Sequence, residues 1–91
     1  MLYVLFYDYV PDMGERRAPF REAHRGLARA SLEGGELVMA GAWTDPIDGA
    51  AFVFRSRQAA EAFPATDPYV LNGLVPSWRV REWNVVVGGP P

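Results

Sequence analysis

The run Leu2-Tyr3-Val4-Leu5-Phe6-Tyr7 carries large apolar or aromatic side chains at every position, so a strand built from it is apolar on both faces. Leu2, Val4 and Phe6 point one way, while Tyr3, Leu5, Tyr7 and Tyr9 point the other. The far end of the chain repeats the problem: Trp78 and Val80 oppose Trp83, Val85 and Val87. A sheet holding both strands must be covered on both sides. Helices can cover one side; an apolar patch left bare on the other would be unusual for a monomer, and a second copy packed sheet against sheet is the expected remedy.

The rest of the chain supplies those helices. Residues 2–9 end in the loop signals Asp8, Pro11, Asp12 and Gly14. From Glu15 to about Glu33 the pattern is helical, with Pro19 in the first turn and Gly34-Gly35 as the stop. Phe20, Ala23, His24, Leu27, Ala28 and Ser31 share one stripe, and Arg21, Arg25 and Arg29 fall on the opposite side. Glu36–Ala42 and Ala50–Phe54 read as a hairpin joined through Thr44-Asp45-Pro46-Ile47-Asp48-Gly49. Ser56 then caps a short helix over Arg57–Phe63 that ends before Pro64, and Asp67-Pro68 opens a further helical turn stopped by Gly73. Residues 78–87 form the last strand. The order βαββαβ predicts a ferredoxin-like α+β fold with an antiparallel sheet, one domain over residues 1–87 and a flexible tail at 88–91.

Composition removes whole classes of chemistry. With no cysteine there is no disulfide, thiolate nucleophile or thiolate metal site, and one histidine cannot build a His-rich zinc cage, so no metal site is expected. All nine basic residues are arginine, which excludes a Schiff-base lysine or a phosphate-loop lysine. A net charge of −2 argues against a nucleic-acid partner. Gly49-Ala50-Ala51-Phe52-Val53-Phe54 resembles part of an RNA-recognition signature, but Asp48 and Arg55 stand where that signature needs a base and an aromatic. The apolar start has no basic region before it and meets Asp8 and Pro11 at once, so it reads as neither a signal peptide nor a membrane span. A cytoplasmic location is expected.

His24 is the one side chain whose ordinary pKa, about 6.5, lets it both take and give a proton near neutral pH. On an apolar stripe it is either a satisfied core histidine or an acid–base group whose tautomer is held by a carboxylate. Asp67 is the leading candidate for that carboxylate. Followed by proline, it is also an N-cap that needs no catalytic explanation. Asp8 is a third polar candidate, more naturally a turn former. Tyr7, Tyr9 and Tyr69 can present hydroxyls to a cavity or simply pack.

Taken together, Arg21-Glu22-Ala23-His24, Met39-Ala40-Gly41 and Asp67-Pro68-Tyr69-Val70 resemble the YCII-related (YciI-like) family over nearly the whole chain. The resemblance implies a ferredoxin-like protomer assembled as a dimeric α+β barrel, similar in shape to muconolactone isomerase. It also implies an active site made from a histidine and an aspartate, here His24 and Asp67. One branch of the family is linked to dechlorination of a hydroxylated aromatic. The compact turn from Asp45 to Gly49 is shorter than in many members.

Two functional expectations follow. In the first, the chain is a cofactor-free lyase, isomerase or dechlorinase-like enzyme acting on a small cyclic or aromatic molecule, with His24 moving the proton, Asp67 orienting it, and Tyr7, Tyr9, Phe54, Tyr69 and Trp83 lining the substrate site. In the second, the same cavity holds a small ligand without turnover, or the sheet face docks a partner.

Overall fold

The computed structural model describes residues 1–90. Strand β1 (Leu2–Asp8) forms from its aromatic and β-branched run and lies inside the sheet, antiparallel to β3 (Gly49–Phe54) on one side and β4 (Ser77–Trp83) on the other. Strand β2 (Leu37–Ala42) adds to the outer edge of β3, giving the order β2-β3-β1-β4. This is the expected ferredoxin-like α+β arrangement, an open four-stranded antiparallel sheet. Across the register, Leu5 faces Phe52 and Val80, and Tyr7 faces Ala50 and Trp78.

The expected long helix is divided. Helix α1 (Met13–Arg16) gives way to a 3₁₀ turn (Ala18–Phe20), and α2 (Arg21–Glu33) begins beyond it. Pro19 explains the break, since it has no N–H for the Glu15 carbonyl and its ring crowds that carbonyl. At the other end α2 stops as expected. Gly35 takes φ 84°, Glu36 N–H donates to the Ser31 carbonyl, and Gly35 N–H donates to that of Leu32. That pair of bonds is a Schellman motif, which a left-handed glycine permits without strain.

Helix α3 (Arg57–Thr66) runs one turn further than the sequence reading allowed, with Pro64 inside it. Pro64 sits in the last turn, so its missing donor costs a single ladder bond, and its buried ring packs in the core. Ser56 caps α3 by accepting from Ala59 N–H at 3.1 Å. Helix α4 (Pro68–Leu71) follows after one extended residue, Asp67. Strand β4 ends at Trp83 rather than Val87, because Trp83 already pairs with Leu2 and β1 offers nothing beyond it. Residues 88–90 of the expected tail have no regular structure, and Pro91 lies outside the described residues.

The two faces of the sheet differ as the alternation required. Leu5, Tyr7, Phe52 and Phe54 pack with Ala60, Phe63 and Tyr69 from the helices and with Leu74, forming the main core. Leu2, Val4 and Val53 form a thinner layer on the other face, flanked by Phe6, Val38, Ala51 and Val85. Gly49 is demanded by close approach: a Cβ there would lie 2.6 Å from the Tyr7 carbonyl oxygen. Among the described residues no helix is long and apolar enough to cross a membrane.

Candidate functional site

Pro68 disfavours the helical conformation for the residue before it, and Asp67 is accordingly extended (φ −73°, ψ 122°) between α3 and α4. That kink turns the Asp67 side chain into the core, where it is fully buried. Three donors meet it there. Oδ1 accepts from Tyr69 N–H at 3.1 Å and lies 2.7 Å from His24 Nδ1, while Oδ2 accepts from the Tyr7 hydroxyl at 2.7 Å. The sequence offered capping and pairing with His24 as alternatives; the same carboxylate does both.

His24 projects from α2, one turn in from its start, and is 8% exposed. Its ring stacks on Tyr69, with centroids 3.8 Å apart and planes 7° from parallel, and meets the rings of Phe52 and Phe63 at steep angles. With Asp67 as a carboxylate, Nδ1 carries the proton it donates and Nε2 is left with the lone pair. Among the described residues Nε2 has no hydrogen-bond partner, yet it is not sealed from solvent. His24 lines a cavity of about 570 Å³ between α2 and β2.

The tyrosines have unequal parts. Tyr7 stands behind Asp67, and burial, then the adjacent carboxylate, push its hydroxyl far above the usual range, so it stays a neutral donor. Tyr9 and Tyr69 line the cavity. Burial raises both hydroxyls; Arg17 pulls each back down, and Arg21 and Arg25 add to that on Tyr69.

Three expected lining residues lie elsewhere, and Tyr7 is one of them, since it is 1% exposed and does not reach the cavity. Phe54 is core, packed on Phe63 and opposite Tyr3, away from the cavity. Trp83 pairs with Leu2 and so points to the sheet face that carries no helices, on the far side of the sheet from His24. Asp8 is exposed at the strand end, accepting from the Ser77 hydroxyl at 2.6 Å. The sequence reading missed Phe52, which lines the cavity. Arg21, Arg25 and Arg29 are exposed, off the buried stripe as expected, but they stand on its flank, where with Arg17 they border the cavity. Their four-residue spacing was the available signal. At about 100° per residue, Arg21, Arg25 and Arg29 lie roughly 60–140° around α2 from His24, on the flank that overhangs β2. Among the described residues no group of three or more His, Cys, Asp or Glu gathers as a metal site.

A family model for the YCII-related domain matches residues 1–84, and the chain belongs to that family. No curated protein matches the chain. Among solved structures it is similar to 5-chloro-2-hydroxyhydroquinone dehydrochlorinase (TftG) from Burkholderia phenoliruptrix AC1100, in complex with 2,5-dihydroxybenzoquinone: TM-score 0.75 and 17% identity over 92% of this chain and 94% of that one. It is also similar to an uncharacterised NIPSNAP-like domain protein from Burkholderia xenovorans, with TM-score 0.61 and 15% identity over 99% and 88% of the two chains. The structured domain of Caenorhabditis elegans BMY-1 gives 0.57 and 16% over 96% and 100%. At such identities these likenesses show the fold alone.

Proposed function

We propose that this member of the YCII-related family is an acid–base enzyme acting on a small cyclic or aromatic molecule, with His24 as the proton-moving group and Asp67 as its positioning partner. One observation carries the reading: a histidine whose Nδ1 is held at 2.7 Å by a fully buried carboxylate, and whose Nε2 lies unpartnered at a cavity. Nε2 takes a proton from the substrate, and the imidazolium so formed faces the Asp67 carboxylate. The electron pair left behind either expels a leaving group, as in loss of HCl, or shifts within the ring and is reprotonated at another carbon. The reading calls on no cofactor. The flat aromatic walls from Tyr9, Phe52 and Tyr69 suit an unsaturated ring, and the similarity to a dehydrochlorinase of a hydroxylated ring supports elimination as the first reaction to try.

The test is turnover on chlorinated and unchlorinated hydroxyquinols, followed by absorbance and chloride release. His24→Gln is expected to lose about 10²- to 10⁴-fold in rate in protein that is still folded at the assay temperature. A His24→Gln variant that turns over normally overturns the reading. Saturable binding of these rings by the parent protein with no turnover points to a ligand-binding module instead.

The second sheet face supports a homodimer as part of the same proposal. Leu2, Val4 and Val53, with half-buried Phe6 and Val85 and exposed Trp83, form a largely apolar surface that carries no helix, crossed by Arg79 over the Phe6 ring and by Arg81 opposite Val4. A second copy packed there completes a closed barrel, and the mass in solution, by light scattering, is expected to be twice that of the chain.

A further inference from the structure

We propose that the cavity selects organic anions, specifically a flat unsaturated ring bearing a carboxylate or an equally acidic oxygen, and that the row Arg17, Arg21, Arg25 and Arg29 receives the acid group beside His24. This deepens the acid–base reading and rests on it only for which end of the ligand reacts.

Charge is segregated in this molecule. The chain is net acidic, yet four of its nine basic residues line a single cavity, and no aspartate or glutamate lines it with them. Among the described residues none of the four has a carboxylate within 4.0 Å, although Glu22 and Glu33 share α2 with three of them. Arg21/Arg25 and Arg25/Arg29 are like-charge neighbours at a spacing of four, which by itself disfavours the helix. An anion in the cavity cancels that repulsion, so the row is complementary to a ligand more than to the fold.

The geometry also says where the anion sits. Arg21 precedes His24 by three residues, so their Cβ atoms are about 5–6 Å apart on one edge of α2. Arg17, Arg21 and Arg25 all act on the Tyr69 hydroxyl, and the Tyr69 ring stacks on His24 at 3.8 Å. Arg21 and the imidazole therefore stand within one helical turn of each other on the cavity wall. Guanidinium groups grip a planar carboxylate through two parallel bonds, and their aromatic neighbours Tyr9, Phe52 and Tyr69 offer surface for the attached ring.

The experiment is a binding titration of the whole protein with benzoate and with its neutral isostere benzamide, read from the His24 ring signals by NMR. Inorganic phosphate serves as a ringless anion. Benzoate is expected to bind at least tenfold more tightly than benzamide and than phosphate, and Arg21→Gln and Arg17→Gln are each expected to weaken benzoate by about 10- to 100-fold. Arg55→Gln, which removes an exposed arginine outside the cavity, is expected to leave it unchanged. Equal affinity for benzoate and benzamide, no saturable benzoate shift, or an equal loss in Arg55→Gln overturns the proposal. Phosphate binding as tightly as benzoate overturns the part that assigns a ring. None of these outcomes depends on turnover. Anion selectivity with a fully active His24→Gln variant would sink the catalytic reading and keep this one; active His24-dependent turnover with no anion preference would do the reverse.

Discussion

Asp67 and Tyr7 should be strongly coupled in stability, and a double-mutant cycle measures it. Asp67→Ala removes the α4 cap, worth about 1 kcal/mol, and orphans the Tyr7 hydroxyl, worth about 1–3 kcal/mol at a site where Tyr7 is 1% exposed. His24 loses its partner too, at the low end of that range because it keeps contact with the cavity. The total, about 3–5 kcal/mol, is a large share of the roughly 5–14 kcal/mol expected for 91 residues. Tyr7→Phe alone takes one of three donors from a buried carboxylate, a loss of about 1.5–3 kcal/mol. In the Asp67→Ala background the same change deletes a hydroxyl that has no acceptor, so it should cost nothing or stabilise. The expected coupling is therefore about 2 kcal/mol or more. Urea unfolding at one protein concentration, with unchanged slopes, reads all four corners. Additivity within about 0.5 kcal/mol would refute the shared bond and with it the buried network that holds His24.

Three further outcomes follow from the same geometry. Burial and the Asp67 carboxylate raise the Tyr7 hydroxyl above its ordinary value near 10, so the unfolded chain ionises first; stability from this group is whole below about pH 10 and falls as pH rises beyond it, by up to about 1.4 kcal/mol per unit, a slope that Tyr7→Phe should remove in alkaline unfolding curves. Phe52→Ala, at 2% exposure beneath both Tyr7 and His24, is expected to cost about 3–5 kcal/mol in urea unfolding; a loss below about 1 kcal/mol would mean the core collapses around it. Trp83→Glu places a carboxylate on the helix-free face, far from the cavity, and should halve the mass of the proposed dimer in light scattering while leaving benzoate binding intact; a mass unchanged from the parent's would refute pairing through this face.

Much of the fold is written in local signals that act over a few residues. The alternation in Leu2–Tyr9 placed each β1 side chain on its observed face, because successive strand residues have no freedom to do otherwise. Ser56, Asp67-Pro68 and Gly34-Gly35 marked helix ends correctly, since capping and left-handed turns depend on one or two side chains. Pro19 and Pro64 show the limit of that logic. Pro19 breaks its helix and Pro64 is absorbed into its own, because the outcome depends on how many ladder bonds follow and on what buries the ring.

The candidate site divides in the same way. Residue chemistry and the family resemblance single out His24 and Asp67, yet they are 43 residues apart, and only the packing of α2 against the α3–α4 junction brings Nδ1 and Oδ1 to 2.7 Å. Trp83 could have been set aside from its own alternation with Trp78 and Val80, but which of its strand's faces carries the helices is settled by register with β1. The arginines are the clearest case. Their four-residue spacing is plain in the sequence, and Arg21, Arg25 and Arg29 are exposed, as a charged row ordinarily is; β2, laid along the flank of α2, makes that exposed flank one wall of an open cavity. Sequence determines which groups a helix carries and at what angle around it, whereas the surface those groups border is a property of what packs alongside.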